Sequence, residues 1–285
     1  MKNLATPIII CFAIILFACA GQNKHSNNND LKKSNLNGEV KSIKEISYTI
    51  TEKYGDVQKE FMISNNVKTY NNRGNIIESC DYEMDGKPTF KYTYKYNEND
   101  KMVEYIFFLM DGTLGFKCNC KYDSEGNMIE FDVFNTDGSL RTKTSQKFDE
   151  QGNCIQELEF KTNDSLTTKK DYKYDEQSNL IVMIETRISD GMVDNTKYKY
   201  DKNSYCIEEN KYNSDGKLVS KRTCIYDIKG NITERNDDYA VNPSFFRSKS
   251  NYTYSNYDDK GNWLKKIDIY NGKSKYITER EIEYF

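Results

Sequence analysis

The most reactive side chains in this chain are its cysteines, and their spacing offers one candidate cross-link and no catalytic site. The sequence holds 8 cysteines and 1 histidine among 285 residues. That histidine, His25, lies in a polar N-terminal stretch, so the rest of the chain lacks the base that Ser-His-Asp and Cys-His nucleophile systems use. Cys118-x-Cys120 is half of a zinc-ligand pattern, but no second pair lies at ligand spacing. Cys120, Cys154, Cys206 and Cys224 fall where neighbouring repeats carry Leu, Met or Tyr, which is the place of a small buried hydrophobe. One pair stands apart. In a hairpin pivoting on Asp215, Cys206 and Cys224 face each other, close enough after relaxation for a disulfide.

Carboxylates are the other chemical resource. Glu78, Glu104, Glu130, Gln156, Glu208 and Glu234 form one column, which could serve Ca²⁺ or a cationic polymer, or pair with Lys170, Arg222 or solvent. Asp123, Asp149, Asp175, Asp201, Asp227 and Asp258 stand in turns, where aspartate ordinarily bonds its own backbone. Neither set predicts a metal, no phosphate-cradling glycine motif is present, and no cofactor or enzymatic activity is expected. The segment 236–246 is different because the sequence pattern breaks there. It is read as a loop holding Asp237, Asp238, Tyr239, Phe245 and Phe246, aromatic platforms beside acids. Such a loop suits stacking on a sugar, a protein contact, or simple coverage of a sheet end.

What must position these residues is a repeat. Tyr70, Tyr96, Tyr122, Phe148, Tyr174, Tyr200 and Tyr226 stand 26 positions apart (96−70 through 226−200), and Tyr257 follows after 31. Each opens a turn of the form Y-D-x-x-G-N, as in Tyr122-Asp123-Ser124-Glu125-Gly126-Asn127. Half a period on comes a second turn, Asp85-Gly86, Asp111-Gly112, Asp137-Gly138, Asp190-Gly191 or Asp215-Gly216, with Asp164-Ser165 as a degenerate copy. Two turns per period between β-rich flanks predict tandem antiparallel hairpins. Even offsets from the anchor collect apolar residues, including Tyr82, Phe108, Phe134, Phe160 and Tyr212 twelve places on, so all are assigned to one face. The odd face carries Ile77, Val103, Ile129, Ile155, Ile181 and Ile207, and a lysine column of Lys95, Lys121, Lys147, Lys173 and Lys199. The expected fold is all-β: an elongated antiparallel meander forming a twisted or coiled open sheet. Hairpins at 38–67 and 263–285 would cap its two ends against edge pairing.

The N-terminus carries an address. Lys2 and the apolar run Pro7 to Phe17 read as a signal peptide over residues 1–18. Leu16-Phe17-Ala18-Cys19 resembles the lipobox of bacterial lipoproteins, which implies lipidation at Cys19 and, with Ala20 next, an outer-membrane location. Residues 19–37 are polar and read as a flexible tether, leaving 38–285 as the repeat domain. The formal charge is −3, from 41 basic and 44 acidic residues well mixed, which gives no electrostatic case for nucleic acid.

Tandem Y-D-x-x-G-N units over Tyr70 to Asn262 resemble the YD repeats of the bacterial Rhs family, and the lipobox points to a short lipoprotein member. The resemblance implies strand-pair architecture. The period is longer than is usual there, and the self-cleaving Rhs core has no counterpart, so encapsulation and autoproteolysis are not implied. The expected function is a non-catalytic, lipid-anchored binding module for a glycan or cell-wall polymer; the alternative is a protein-interaction scaffold or adhesin.

Overall fold

The computed structural model describes residues 29–53, 56–241 and 244–285. Residues 1–28, with the expected signal peptide, Cys19 and His25, lie outside the described residues, as do 54–55 and 242–243. Eighteen strands form one antiparallel sheet. They are β1 (Val40–Lys53), β2 (Asp56–Tyr70), β3 (Ile76–Tyr82), β4 (Pro88–Tyr96), β5 (Met102–Phe108), β6 (Leu114–Tyr122), β7 (Met128–Phe134), β8 (Leu140–Phe148), β9 (Cys154–Lys161), β10 (Leu166–Tyr174), β11 (Leu180–Arg187), β12 (Val193–Tyr200), β13 (Cys206–Tyr212), β14 (Leu218–Tyr226), β15 (Ile232–Val241), β16 (Ser244–Tyr257), β17 (Trp263–Tyr270) and β18 (Lys273–Tyr284). Each strand pairs with the next, and β18 pairs with β1 over Val40↔Tyr284 to Thr49↔Tyr276.

The sheet is therefore a closed barrel, and the expected open meander is overturned. The segments expected to cap opposite ends meet each other at the β1–β18 seam. An open ladder this long would leave two rows of unpaired amides and carbonyls. Strand twist brings those edges round, and joining them removes both.

Most turns of both families share one geometry; the turn at Asp190-Gly191 is one residue longer, with Arg187 N–H to Met192 O at 2.9 Å. In the turn after Tyr122, Gly126 N–H donates to Asp123 O at 3.1 Å, Asp123 N–H donates to Asn127 O at 3.0 Å, and Gly126 sits at φ 82°. This is a type I turn closed by a left-handed residue, which leaves a bulge. Asp123 Oδ1 accepts from Asn127 N–H at 2.8 Å and Oδ2 from its side-chain amide at 2.9 Å, which explains the paired Asp and Asn of the motif. The turn at Asp85-Gly86 repeats the backbone pattern, with Glu83 N–H to Lys87 O at 2.8 Å.

The bulges change which face a side chain occupies. Lys95 opposes Glu104 but Tyr96 opposes Met102, so one residue is lost from the count at this turn, and the same shift recurs at the other regular turns. Parity taken across a bulge inverts. The column Tyr82, Phe108, Phe134, Phe160 and Tyr212 therefore shares the outer wall with lysines such as Lys91, which pairs with Phe108. The interior instead receives Tyr92, Tyr105, Phe107, Phe116, Cys118, Cys120, Phe131 and Val133, one buried cluster on β4–β7. Tyr92 and Tyr105 stack at 5.7 Å between ring centroids, and Phe107 and Phe116 lie at 4.9 Å.

The anchor tyrosines lock neighbouring repeats. Tyr122 Oη donates to Met102 O at 2.8 Å, twenty residues back, and Tyr96, Tyr174, Tyr200 and Tyr226 repeat the bond to Ile76, Cys154, Leu180 and Cys206. After the long step the bond to Ile232 O comes from Tyr254, while Tyr257 stays at the surface with Lys229 over its ring.

The segment read as flexible tether is partly folded. Residues 30–33 form a helical turn, α1 (Asp30–Lys33), and Leu31 and Leu36 are buried against Val40, Ile43 and Tyr70. Asp30 accepts from Ile76 N–H and Tyr96 Oη. Asn35 donates to Lys229 O and Asn231, and Asn37 exchanges bonds with Asn262. The strap thus crosses the mouth lined by Y-D-x-x-G-N turns, touching three of them. Leu31 and Leu36 are isolated in a polar stretch, so no periodicity announces their burial.

Candidate functional site

The segment 236–246 is not a loop. Its inserted residues lengthen the hairpin of β15 and β16, with Asp237↔Ser248, Asp238↔Arg247, Tyr239↔Phe246 and Ala240↔Phe245 opposed. Strand alternation then sends neighbouring residues to opposite faces. Asp237 points inward, 3% exposed, and accepts from Arg222 Nε and Arg235 Nε, each at 2.7 Å. Burial alone would lower the Arg222 pKa, but its bond to Asp237 outweighs that and holds the guanidinium above its ordinary range. Asp238 points outward and takes Arg247 through both Nε, at 2.8 Å, and Nη2, at 3.2 Å. Tyr239 and Phe246 share Asp237's face nearer the hairpin tip, 40% and 50% exposed. The Phe245 side chain lies outside what is described. Of the five residues, the structure groups Tyr239, Phe246 and the neutralised Asp237, and separates Asp238.

Below this rim the interior divides into two kinds of wall. The aromatic cluster covers β4–β7, whereas later strands carry buried charge. Glu157 and Lys170, with side chains 4% exposed, bond at 2.8 Å, and Gln146 donates to the second Glu157 oxygen at 2.9 Å. Burial would lower the Lys170 pKa, yet the Glu157 carboxylate overrides it and holds the ammonium above its ordinary value. Burial pushes the nearby Glu159 carboxyl up. These residues escaped the sequence reading because their columns mix types: Tyr92, Cys118, Thr144, Lys170, Thr196 and Arg222 share one offset but no hydropathy.

Cys206 and Cys224 are free thiols. The bulge between Lys211 and Tyr212 moves the register from the sum 430 to 431, as in Glu208↔Thr223, so the two are diagonal neighbours and not directly opposed. Burial raises the Cys206 thiol to about 11 and shifts Cys224 the same way. Such thiols carry little thiolate near neutrality. Cys118 and Cys120 are buried in the aromatic cluster, and among the described residues no group of three or more His, Cys, Asp or Glu is placed to hold a metal.

The glutamate column lies on the outer wall, with partners other than Lys170 and Arg222. Glu104 takes Lys95, at 2.6 Å, and Lys117; Glu130 takes Lys121 and Lys143; Glu208 takes Lys199, at 2.7 Å, and Lys221, at 2.9 Å. Hydrogen bonds from these lysines hold Glu130 and Glu208 at about 2. Barrels that span a bilayer present an apolar band to lipid. This wall presents Lys–Glu–Lys triads at that place, which suits water and not acyl chains.

No protein-family model and no curated protein matches the chain. Among solved structures it is similar to a porin-like protein from Bacteroides uniformis, at 11% identity and TM-score 0.41, over 86% of this chain and 96% of that one. It is also similar to part of the Photorhabdus luminescens Tc holotoxin pore, at 15% identity and TM-score 0.37, over 76% of this chain and 12% of that one. A third is the TcdB2-TccC3 complex, at 12% identity and TM-score 0.29, over 83% and 19%. The chain thus spans a small part of the toxin chains. None of these likenesses is close enough to carry an activity across.

Proposed function

We propose that this chain is a non-catalytic, lipid-anchored barrel of the bacterial envelope that holds a glycan or cell-wall polymer at its rim. The observation behind this reading is the Tyr239–Phe246 pair. Two aromatic side chains stand opposed and exposed on the inner face of a hairpin longer than those of the regular repeats. The charges beneath and behind them, Asp237 and Asp238, are already satisfied by arginines, leaving the rings for apolar stacking on a sugar face. The lipobox-like Leu16 to Cys19 supports anchoring at the outer membrane, and the Y-D-x-x-G-N units support a short member of the YD-repeat group. Binding to a glycan and peptidoglycan array, with Tyr239→Ala and Phe246→Ala beside wild type, tests the reading. Saturable binding weakened by both changes is expected; binding indifferent to both would remove the rim as the site.

A protein-binding scaffold is the second reading, favoured by a separate feature. Phe61 and Ile63 on β2 are 67% and 52% exposed, and Met84 in the adjoining β3–β4 turn is 72% exposed. An exposed apolar group of that kind marks interaction sites on soluble proteins. Crosslinking in the native envelope, lost on Phe61→Ser, would shift the weight to a protein partner.

A further inference from the structure

The outer wall carries an arc of lysines whose carboxylates are missing. In the five repeats anchored at Tyr96, Tyr122, Phe148, Tyr174 and Tyr200 the residue before the anchor is lysine, and strand register sets it opposite one fixed position of the next strand. Lys95 meets Glu104, Lys121 meets Glu130 and Lys199 meets Glu208, and all three are ion-paired. In the two repeats between them the acid is gone and the lysine stays. Lys147 faces Gln156, and Lys173 faces Val182. Val182 has Lys197 on its other side.

Nothing nearby restores the balance. Gln156 turns its amide to Asp171 at 2.9 Å, and Asp171 is also taken by Lys169 at 2.9 Å. Lys197 lies over the Tyr212 ring at 5.3 Å, while Glu208 is shared by Lys199 and Lys221. Lys147, Lys173 and Lys197 are exposed and make no ion pair among the described residues. They sit on β8, β10 and β12, so their backbone positions stand two strands apart, about 10 Å across the ladder and about 19 Å in all, with Lys173 two residues along β10 from Asp171, the position in register with Lys147. The chain as a whole is slightly acidic, which makes the arc a local feature and not a share of a general positive field.

We propose that this arc is a binding surface for an acidic polysaccharide, which narrows the polymer of the preceding section to one with carboxylates along its length and rests on that reading. Three features favour a linear polyanion. The charges run in a line around the wall, spaced near the rise of a disaccharide unit. Between them lie Gln156, whose amide is bonded to the Asp171 carboxylate that Lys169 also takes, and the small apolar Val182. Compact ammonium groups bind anions as point charges, without the bidentate geometry that an arginine fork imposes.

The test is equilibrium binding of the full chain to polygalacturonate, with dextran as neutral polymer and phosphatidylglycerol vesicles as lipid anion. The arc variant K147Q/K173Q/K197Q is compared with K95Q/K121Q/K199Q, which removes the same charge from triads. Polygalacturonate should bind in a salt-sensitive way, weakened roughly tenfold in the arc variant as three weak surface contacts are lost together, and far less in the triad variant. Equal loss in both variants would mean diffuse attraction and would overturn the assignment, as would unchanged binding in the arc variant. Vesicle binding with the same arc dependence would make it a lipid-headgroup surface and overturn the polysaccharide. If a neutral glycan binds through Tyr239 while polygalacturonate does not, the arc alone fails; if folded protein binds no polymer of either kind, the rim reading fails with it.

Discussion

Replacing Lys170 with methionine asks whether the interior of this barrel is dry. Rings of 16 to 18 strands in porins enclose an aqueous channel, and in such a channel a Glu–Lys pair on the wall would be worth little. Here the Glu157 and Lys170 side chains are 4% exposed and bonded at 2.8 Å, with Gln146 on the remaining carboxylate oxygen. Lys170→Met keeps most of the stem and deletes the charge, leaving the Glu157 carboxylate buried without its ammonium partner, beside the neutral Gln146 amide. Removing one partner of a buried pair costs about 3–5 kcal/mol. Against a typical domain stability of about 5–15 kcal/mol that is a large fraction, and it corresponds to a fall in Tm of about 6–20 °C for a protein of this size. Urea unfolding followed by circular dichroism should show the midpoint falling with an unchanged m-value. Adding Glu157→Gln should recover most of the loss, because an amide needs no counter-charge. A single variant costing under about 1 kcal/mol would refute the reasoning, since it would place water and ions against the pair.

Two further outcomes follow from the wall. Tyr122→Phe removes the hydroxyl bond to Met102 O, 2.8 Å long, and should cost about 0.5–1.5 kcal/mol. Phe148 occupies the same anchor naturally, so Phe148→Tyr should be neutral or stabilising toward Met128 O; equal unfolding midpoints for Tyr122→Phe and wild type would show the ladder to be idle. Glu130 and Glu208 are held at about 2 from a value of 4.5, so their contribution is complete above 4.5 and is lost as pH falls toward 2. The Tm of wild type should drop through that window, and the double variant Glu130→Gln, Glu208→Gln should drop less; identical profiles would mean solvent already screens the triads.

Local chemistry read well from the sequence, and global geometry did not. The turns at Asp85-Gly86 and Gly126-Asn127 are where their residues demand, because positive φ at glycine and the Asp–Asn exchange are decided within six residues. Facing fails at Tyr82, Phe108 and Phe134 because each bulge deletes one step from a period of two, and parity counted straight through the Asp-Gly turn ignores that step. Closure fails for a different reason. The β1–β18 pairing joins residues more than 200 positions apart, such as Glu45 and Arg280, bonded at 2.9 Å, and no repeat period encodes that contact. At the rim, Tyr239 and Phe246 were legible as a break in the period, but whether five extra residues make a loop or a longer hairpin depends on pairing that only the neighbouring strand supplies.

Closure also bears on how such a chain can change over generations. Open repeat arrays diversify by gaining or losing whole units, since each unit touches only its neighbours. A ring has no free end at which to add one. Duplicating a 26-residue unit here would force two more strands into the wall and re-tilt the other eighteen, because strand number, tilt and stagger are linked. Copy number is thereby frozen, and novelty is confined to two routes: exchanging side chains on a fixed lattice, as Gln156 and Val182 stand where glutamates do in sister units, or extending a hairpin beyond the rim, as β15 and β16 do. The lysine arc is an instance of the first route and the Tyr239–Phe246 rim of the second.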